Sequence, residues 1–148
     1  KNQTLPITDK RMTRFMITLE QGVELIWKAF YDMVGGEIFV RKIPSMNILD
    51  IAKAVNPNAQ IAETGIRPGE KLHEQMIGLE DADYTYEYEF FYKILPSIND
   101  WAQDPRRIAN GKRVESNFSY RSDNNDDWMS TNELQKWIHS NAKLIGTI

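Results

Sequence analysis

Apolar residues recur every three or four positions at Leu19, Val23, Ile26, Ala29, Phe30 and Met33, the spacing of one helical face. Thr18 and Gln21 stand three apart at the head of that run, where hydroxyl and amide can satisfy the free N–H groups of a first turn. Gly35-Gly36 ends it. A second helical spacing, Ile48, Ile51, Ala52 and Val55, follows Pro44, Ser45 and Asn47 and stops at Asn56-Pro57. A third opens on the capping box Ser130-Thr-Asn-Glu133 and carries Leu134, Trp137 and Ile138. Between these lie short runs that read as strands: Leu5–Thr8, Glu37–Val40 and Gln60–Thr64. The segment GIRPGEKLHE, Gly65 to Glu74, then predicts a turn leading into a short helix through Met76.

The first 82 residues thus predict a β-α-β-α-β-α alternation and an α/β class, with a small mixed, partly parallel sheet and flanking helices. Beyond it the pattern changes. Tyr84–Leu95 alternates aromatic and polar residues and reads as extended, while Ser97–Asp127 is polar with little periodicity. The expected organisation is one domain over 1–148, divided into a core (1–82), an extended and irregular segment (83–129) and a terminal helix with tail (130–148). Length alone allows a sizeable core. A net charge of −3 lacks the basic surplus of a nucleic-acid binder. No apolar run approaches the roughly 20 residues of a membrane span. The absence of cysteine excludes disulfides and thiolate metal sites and fits a reducing, cytoplasmic compartment. The chain opens directly on a strand-like LPIT with no initiating Met, which predicts a piece of a longer protein.

Candidate chemistry concentrates after two strands. In α/β sheets ligands bind beyond the carboxyl ends of strands. Arg67, at the end of Gln60–Thr64, has a planar fork suited to phosphate. Glu70 is acceptor-only when ionised and suits sugar hydroxyls. Arg14 follows the first strand within the charged run Asp9–Arg14, and both arginines could converge on a diphosphate. The bland alternatives are a surface pairing of Arg67 with Glu70 across a Pro68-Gly69 turn, and a solvated charge run around Arg14. His73 and His139 lack a second ligand at metal spacing, so no metal is expected. Trp27 and Trp137 fit helical faces as packing residues. No Gly-x-x-Gly-x-x-Gly turn, Tyr-x-x-x-Lys pair or Gly-x-Ser-x-Gly elbow is present, so no complete catalytic constellation is visible.

The blocks LPITDKRMTRFMITLEQGV, GGEIFVRKIPSM, ILDIAKAV, GIRPGEKLHE and YRSDNNDDW, in this order, resemble the C-terminal part of the inverting UDP-N-acetylglucosamine 4,6-dehydratases. These are extended short-chain dehydrogenase/reductases that open the pseudaminic acid pathway of surface glycans. The resemblance implies a substrate domain whose N-terminal Rossmann partner, absent from this stretch, holds NADP and the acid–base residues. It implies that Leu5, Pro6 and Ile7 run beside the uracil, that Arg14 and Arg67 contact the diphosphate, and that Glu70 accepts from the ribose. The implied reaction is oxidation at C4 of the sugar, loss of water across C5 and C6, and reduction at C6 with inversion at C5. This stretch would bind the UDP-sugar without turning it over, and the parent would form a homo-oligomer. Lys10 and Arg41 stand where family members usually have Pro, and Met16 where they have Trp; none is an expected ligand. Lys71, His73 and the block Tyr120 to Trp128 receive no role. Rival readings are a UDP-sugar 4-epimerase or dehydratase/5-epimerase of polysaccharide biosynthesis, and a non-catalytic UDP-binding module.

Overall fold

The computed structural model describes residues 4–98 and 100–141. Its strands and α-helices run β1 (Thr4–Ile7), β2 (Thr13–Phe15), α1 (Leu19–Asp32), β3 (Ile38–Arg41), β4 (Ser45–Asn47), α2 (Ile48–Val55), β5 (Gln60–Glu63) and β6 (Gln75–Ile77). They continue with β7 (Thr85–Glu87), β8 (Phe91–Ile94), α3 (Pro105–Ile108), β9 (Lys112–Arg113), β10 (Tyr120–Arg121) and α4 (Thr131–Ser140). Two compact units interleave along the chain. One comprises Lys1–Met16, Pro44–Glu74 and Ser122–Ile148; the other comprises Ile17–Ile43 and Gln75–Arg121.

The first unit joins two strand pairs to two helices. β1 runs parallel to β5, with Leu5 opposite Ile61 and Ile7 opposite Glu63. β2 runs antiparallel to β4, with Arg14 opposite Met46. The Asn47 side chain accepts from the Leu49 N–H and starts α2 directly from β4. α4 starts on a complete capping box, Ser130 with Glu133. The apolar stripes of α2 and α4 meet over Met46, Ala54 and Leu134, with Met16, Ile51, Met129 and Ile138 packed around them. Fully burying a side chain such as Leu134 contributes about 1.5–3 kcal/mol.

The second unit is built on an antiparallel sheet ordered β3-β8-β7-β9, with a separate β10–β6 pair. A buried cation sits on its β8 strand. Lys93 donates to the Arg107 carbonyl at 2.9 Å and lies over the Phe39 and Tyr88 rings, and burial lowers its pKa. Arg107 in turn pairs with the buried Glu37 at 2.7 Å and stacks on Trp101. Burial raises the Glu37 pKa, but the N–H groups of Gly35, Glu37 and Val34 and the Arg107 charge outweigh it, and the net shift is downward. Tyr120 closes the unit by donating to the Ile43 carbonyl and accepting from the Ile43 N–H, both at 2.9 Å.

Several expectations change here. The mixed α/β class stands, but β3 does not join β1 and β5 in one layer; it pairs antiparallel with β8. The expected helix after Gly65 does not form. Gly65 and Gly69 take φ values of +88° and +80°, left-handed conformations that break a helix. The backbone there bonds outward instead, Leu72 O accepting from Thr13 N, and Gln75–Ile77 is a strand. Two strands escaped the hydrophobic pattern, β2 and β4, each three residues long. The polar stretch 97–127 holds α3, β9, β10 and a 3₁₀ turn, Trp101–Gln103. Trp27 and Trp137 are more exposed than packing residues, at 58% and 41%. The tail part of 130–148 beyond residue 141 lies outside the described residues.

Candidate functional site

The carboxyl ends of β1 and β5 open onto the loop of residues 64–74. Thr64 closes the ribbon by donating both its N–H and its hydroxyl to the Ile7 carbonyl, at 2.8 and 3.2 Å. Pro6, which has no N–H to give, fits on this two-stranded ribbon because β1 pairs only with β5 among the described residues. Leu5 is half-buried, Pro6 exposed and Ile7 buried, so one apolar residue of each accessible kind lies along this edge.

The loop folds back on itself around Glu70. Its Oε2 accepts from the Arg67 backbone N–H at 3.1 Å and its Oε1 from the Thr8 hydroxyl at 3.0 Å. The Arg67 N–H leads the causes that hold the Glu70 carboxyl below the usual range, against burial and helped by Thr8, Arg67 and Arg14. Glu70 is therefore ionised at neutral pH, with each oxygen keeping a further lone pair. Arg67 is exposed, three residues ahead of it.

Arg14 on β2 reaches the same loop. One terminal nitrogen donates to the carbonyls of Thr13 and Leu72, at 2.7 and 3.1 Å. The other donates to Lys71 O at 3.2 Å and lies 4.0 Å from Glu70 Oε1, while Nε is 3.5 Å from Glu74. The expected residues Arg14 and Glu70 are thus brought together. Much of the Arg14 fork is spent on the loop's own carbonyls, however, whereas Arg67 stands out toward solvent.

Behind this face lies a polar cluster that the pattern of apolar residues did not reveal. The buried Thr13 hydroxyl is 2.6 Å from Ser122 Oγ and 2.8 Å from His73 Nδ1. Ser122 Oγ accepts from the Glu74 N–H at 2.9 Å. His73 Nε2 is 3.8 Å from Asp123 Oδ2. Asp9, also buried, takes two bonds from the Arg11 side chain and one from its N–H, which pull its carboxyl down to about 2. The rest of the polar block after β10 acts on β4. Asn125 donates to Ser45 Oγ at 3.0 Å, and Ser45 exchanges backbone bonds with Asp127 and Met129. The Ser and Asn of that block were the only available signal, because short polar side chains in a loop often satisfy backbone groups. Among the described residues no group of three or more His, Cys, Asp or Glu could hold a metal ion. None of the described helices is long and apolar enough to cross a membrane.

Residues 1–96 match the family described as polysaccharide biosynthesis protein. An inverting UDP-N-acetylglucosamine 4,6-dehydratase of Campylobacter jejuni serotype O:2 is 50% identical over 140 residues, covering 91% of this chain and 42% of that protein. A UDP-glucose 4-epimerase of Rickettsia bellii is 35% identical over 128 residues, 84% of this chain and 38% of the relative. The X-ray structure of Pen from Bacillus thuringiensis superposes with a TM-score of 0.73 at 30% identity, over 95% of this chain and 41% of that one. The chain spans about two fifths of the length of the curated relatives it matches.

Proposed function

The chain belongs to the polysaccharide biosynthesis protein family, and from that premise we propose that it forms the nucleotide-binding portion of an inverting UDP-N-acetylglucosamine 4,6-dehydratase. The observation that carries this reading is the loop after β5. An exposed guanidinium, Arg67, and an ionised carboxylate with spare lone pairs, Glu70, stand on one turn beyond the carboxyl ends of β1 and β5. Identity of 50% to the Campylobacter enzyme favours a dehydratase over the 4-epimerase reading.

Each residue then has a physical task. Arg67 meets the diphosphate with charge-assisted bonds. Arg14 adds positive charge next to Glu70 and holds the loop that carries it. Glu70 accepts the ribose hydroxyls, and Leu5, Pro6 and Ile7 offer backbone and apolar surface to the uracil. Gripping the nucleotide in this way positions the sugar, and contacts remote from the reacting carbons can contribute to rate by orientation.

The residues present do not fit a dinucleotide. Among the described residues no glycine-rich turn joins a strand to a helix, and the parallel pair β1–β5 leads into the turn at Gly65. NADP and the acid–base residues of a lyase would belong to parts of the protein outside these 148 residues. The same reading puts the parent in the cytoplasm, as a homo-oligomer acting on a UDP-sugar for pseudaminic acid synthesis.

Calorimetric titration of UDP into the 148-residue chain tests the site. Arg67→Ala should weaken binding by about ten- to a hundredfold, as expected for a hydrogen bond to a charged group worth about 1.5–3 kcal/mol. UDP binding as tight in Arg67→Ala and Glu70→Ala as in the unaltered chain would sink the assignment. Product analysis on the intact enzyme separates 4,6-dehydration from 4-epimerisation.

A further inference from the structure

The cluster behind the loop has a use that the ligand assignments leave out. Thr13 sits on β2 one residue before Arg14, His73 and Glu74 end the loop that carries Arg67 and Glu70, and Ser122 begins the polar block after β10. Three chain segments far apart in sequence therefore meet at two hydroxyls. We propose that Ser122, Thr13 and His73 are positioning residues that lock the loop of residues 65–74 onto β2, so that Arg67 and Glu70 are held in register with Arg14.

The bonding of the cluster supports this. Ser122 is fully buried and Thr13 is 5% exposed, so neither hydroxyl can rely on bulk water. Ser122 Oγ lies 2.6 Å from Thr13 Oγ1 and 3.2 Å from Thr13 O, and it accepts the Glu74 N–H at 2.9 Å. Ser122 N–H meanwhile donates to Glu74 O at 2.8 Å, so this one residue clasps both sides of Glu74. Thr13 N–H donates to Leu72 O at 3.1 Å, a further tie from strand to loop.

The network also closes in either proton direction. When His73 Nδ1 accepts, Thr13 donates to it and Ser122 donates to Thr13. When Nδ1 carries the proton, Thr13 donates to Ser122 and the Ser122 proton turns to the Thr13 carbonyl. Both arrangements leave each hydroxyl satisfied, so the lock does not depend on one histidine tautomer. Asp123 Oδ2 lies 3.8 Å from Nε2, on the far side of the ring.

The nucleotide reading supplies the reason for such a lock. Gly65 and Gly69 give the loop freedom, and Arg67 is exposed, so its position has to be fixed at the other end of the loop. Holding a binding side chain within a fraction of an ångström requires support from neighbours that never touch the ligand.

Two readouts on the same variants test the proposal, which rests on the nucleotide reading for its purpose alone. Amide hydrogen exchange reports the lock without ligand, and UDP titration reports its effect on the site. Thr13→Val keeps the shape of the side chain and deletes the hydroxyl. It should speed exchange at Glu74 and weaken UDP binding by about five- to tenfold, while exchange in α4 stays as it was. Thr13→Ser should restore both, which a packing role for the Thr13 methyl would not allow. His73→Gln, at a side chain 25% exposed, should give a smaller change in the same direction and serves if Thr13→Val does not fold. Unchanged exchange at Glu74 in Thr13→Val, or a Thr13→Ser variant no better than Thr13→Val, would overturn the proposal. Faster exchange at Glu74 in a chain that binds no UDP would uphold the lock and reject the nucleotide reading instead.

Discussion

α1 and α4 begin in the same way and end in different environments. Each opens on a complete capping box, Thr18 with Gln21 in one and Ser130 with Glu133 in the other. Each repeats apolar residues at helical spacing. Yet α4 buries Leu134 against α2, whereas α1 buries none of its residues. Leu19, Ile26, Trp27, Phe30 and Tyr31 are all more than half exposed on α1. Polar contacts and the half-buried Leu25 tie α1 to its own unit. Arg41 donates to Gln21 O and pairs with Glu24, and Lys28 lies over the Phe91 ring. Caps and periodicity specify that a helix forms; they do not specify what its apolar face meets.

The largest expected effect separates the two helices by burial. Leu134→Ala should cost about 2–5 kcal/mol in chemical denaturation, because it removes a buried side chain and leaves a cavity. Phe30→Ala, on a ring that touches only Trp27 and Tyr31 among the described aromatic rings, should stay within about 0.5 kcal/mol. Equal losses in the two variants would mean that α1 is packed after all.

The caps should behave alike where the faces do not. Thr18→Ala and Ser130→Ala should each cost about 1 kcal/mol, since each deletes one side-chain acceptor for a first-turn N–H. A much smaller loss for Thr18 would show that α1 is frayed at its start, and amide exchange at Gln21 and Glu133 would locate the difference.

The smallest effect is in pH. The N3 residue of α4 is Glu133, whose carboxyl is held below the usual glutamate range by the Ser130 hydroxyl and N–H; that of α1 is the uncharged Gln21. A depressed folded pKa contributes stability above the unfolded value, and that stability is lost as pH falls through the folded one. Acidification below the ordinary glutamate range should therefore loosen the first turn of α4, where the carboxylate is itself part of the capping box, more than that of α1, which keeps its Gln21 cap and loses only the charge of Glu20. Amide shifts followed by NMR between about pH 6 and pH 2, spanning the ordinary glutamate value, would reveal it. Asp9, its carboxyl held down to about 2 by Arg11, should titrate toward the acid end of the same experiment.

The same distinction explains what could be foreseen at the candidate site. Arg14, Arg67 and Glu70 stood out because cations and a carboxylate after strand ends are visible as residue types. Their different roles were not visible. Arg14 turns its fork into the carbonyls of Leu72 and Lys71, and only the path of the loop makes those carbonyls available. Thr13 and Ser122 lie 109 residues apart, and nothing local to either announces the other. The expected helix after Gly65 failed for a local reason, the left-handed Gly65 and Gly69, joined by a distant one. A run with helical composition was given bonds to β2 and to Ser122 that compete with its own i→i+4 ladder.

The amino-acid sequence by itself determined α1, α2 and α4, their starts and the chemistry-bearing residues of the loop, because these depend on neighbours within about one turn or one strand. The tertiary structure decided the rest. It chose β8 rather than β1 as the partner of β3, left the face of α1 uncovered among the described residues, and brought Thr13, His73 and Ser122 to one point. Those outcomes depend on which distant groups can satisfy buried hydrogen bonds and apolar surface together, and no local pattern carries that information.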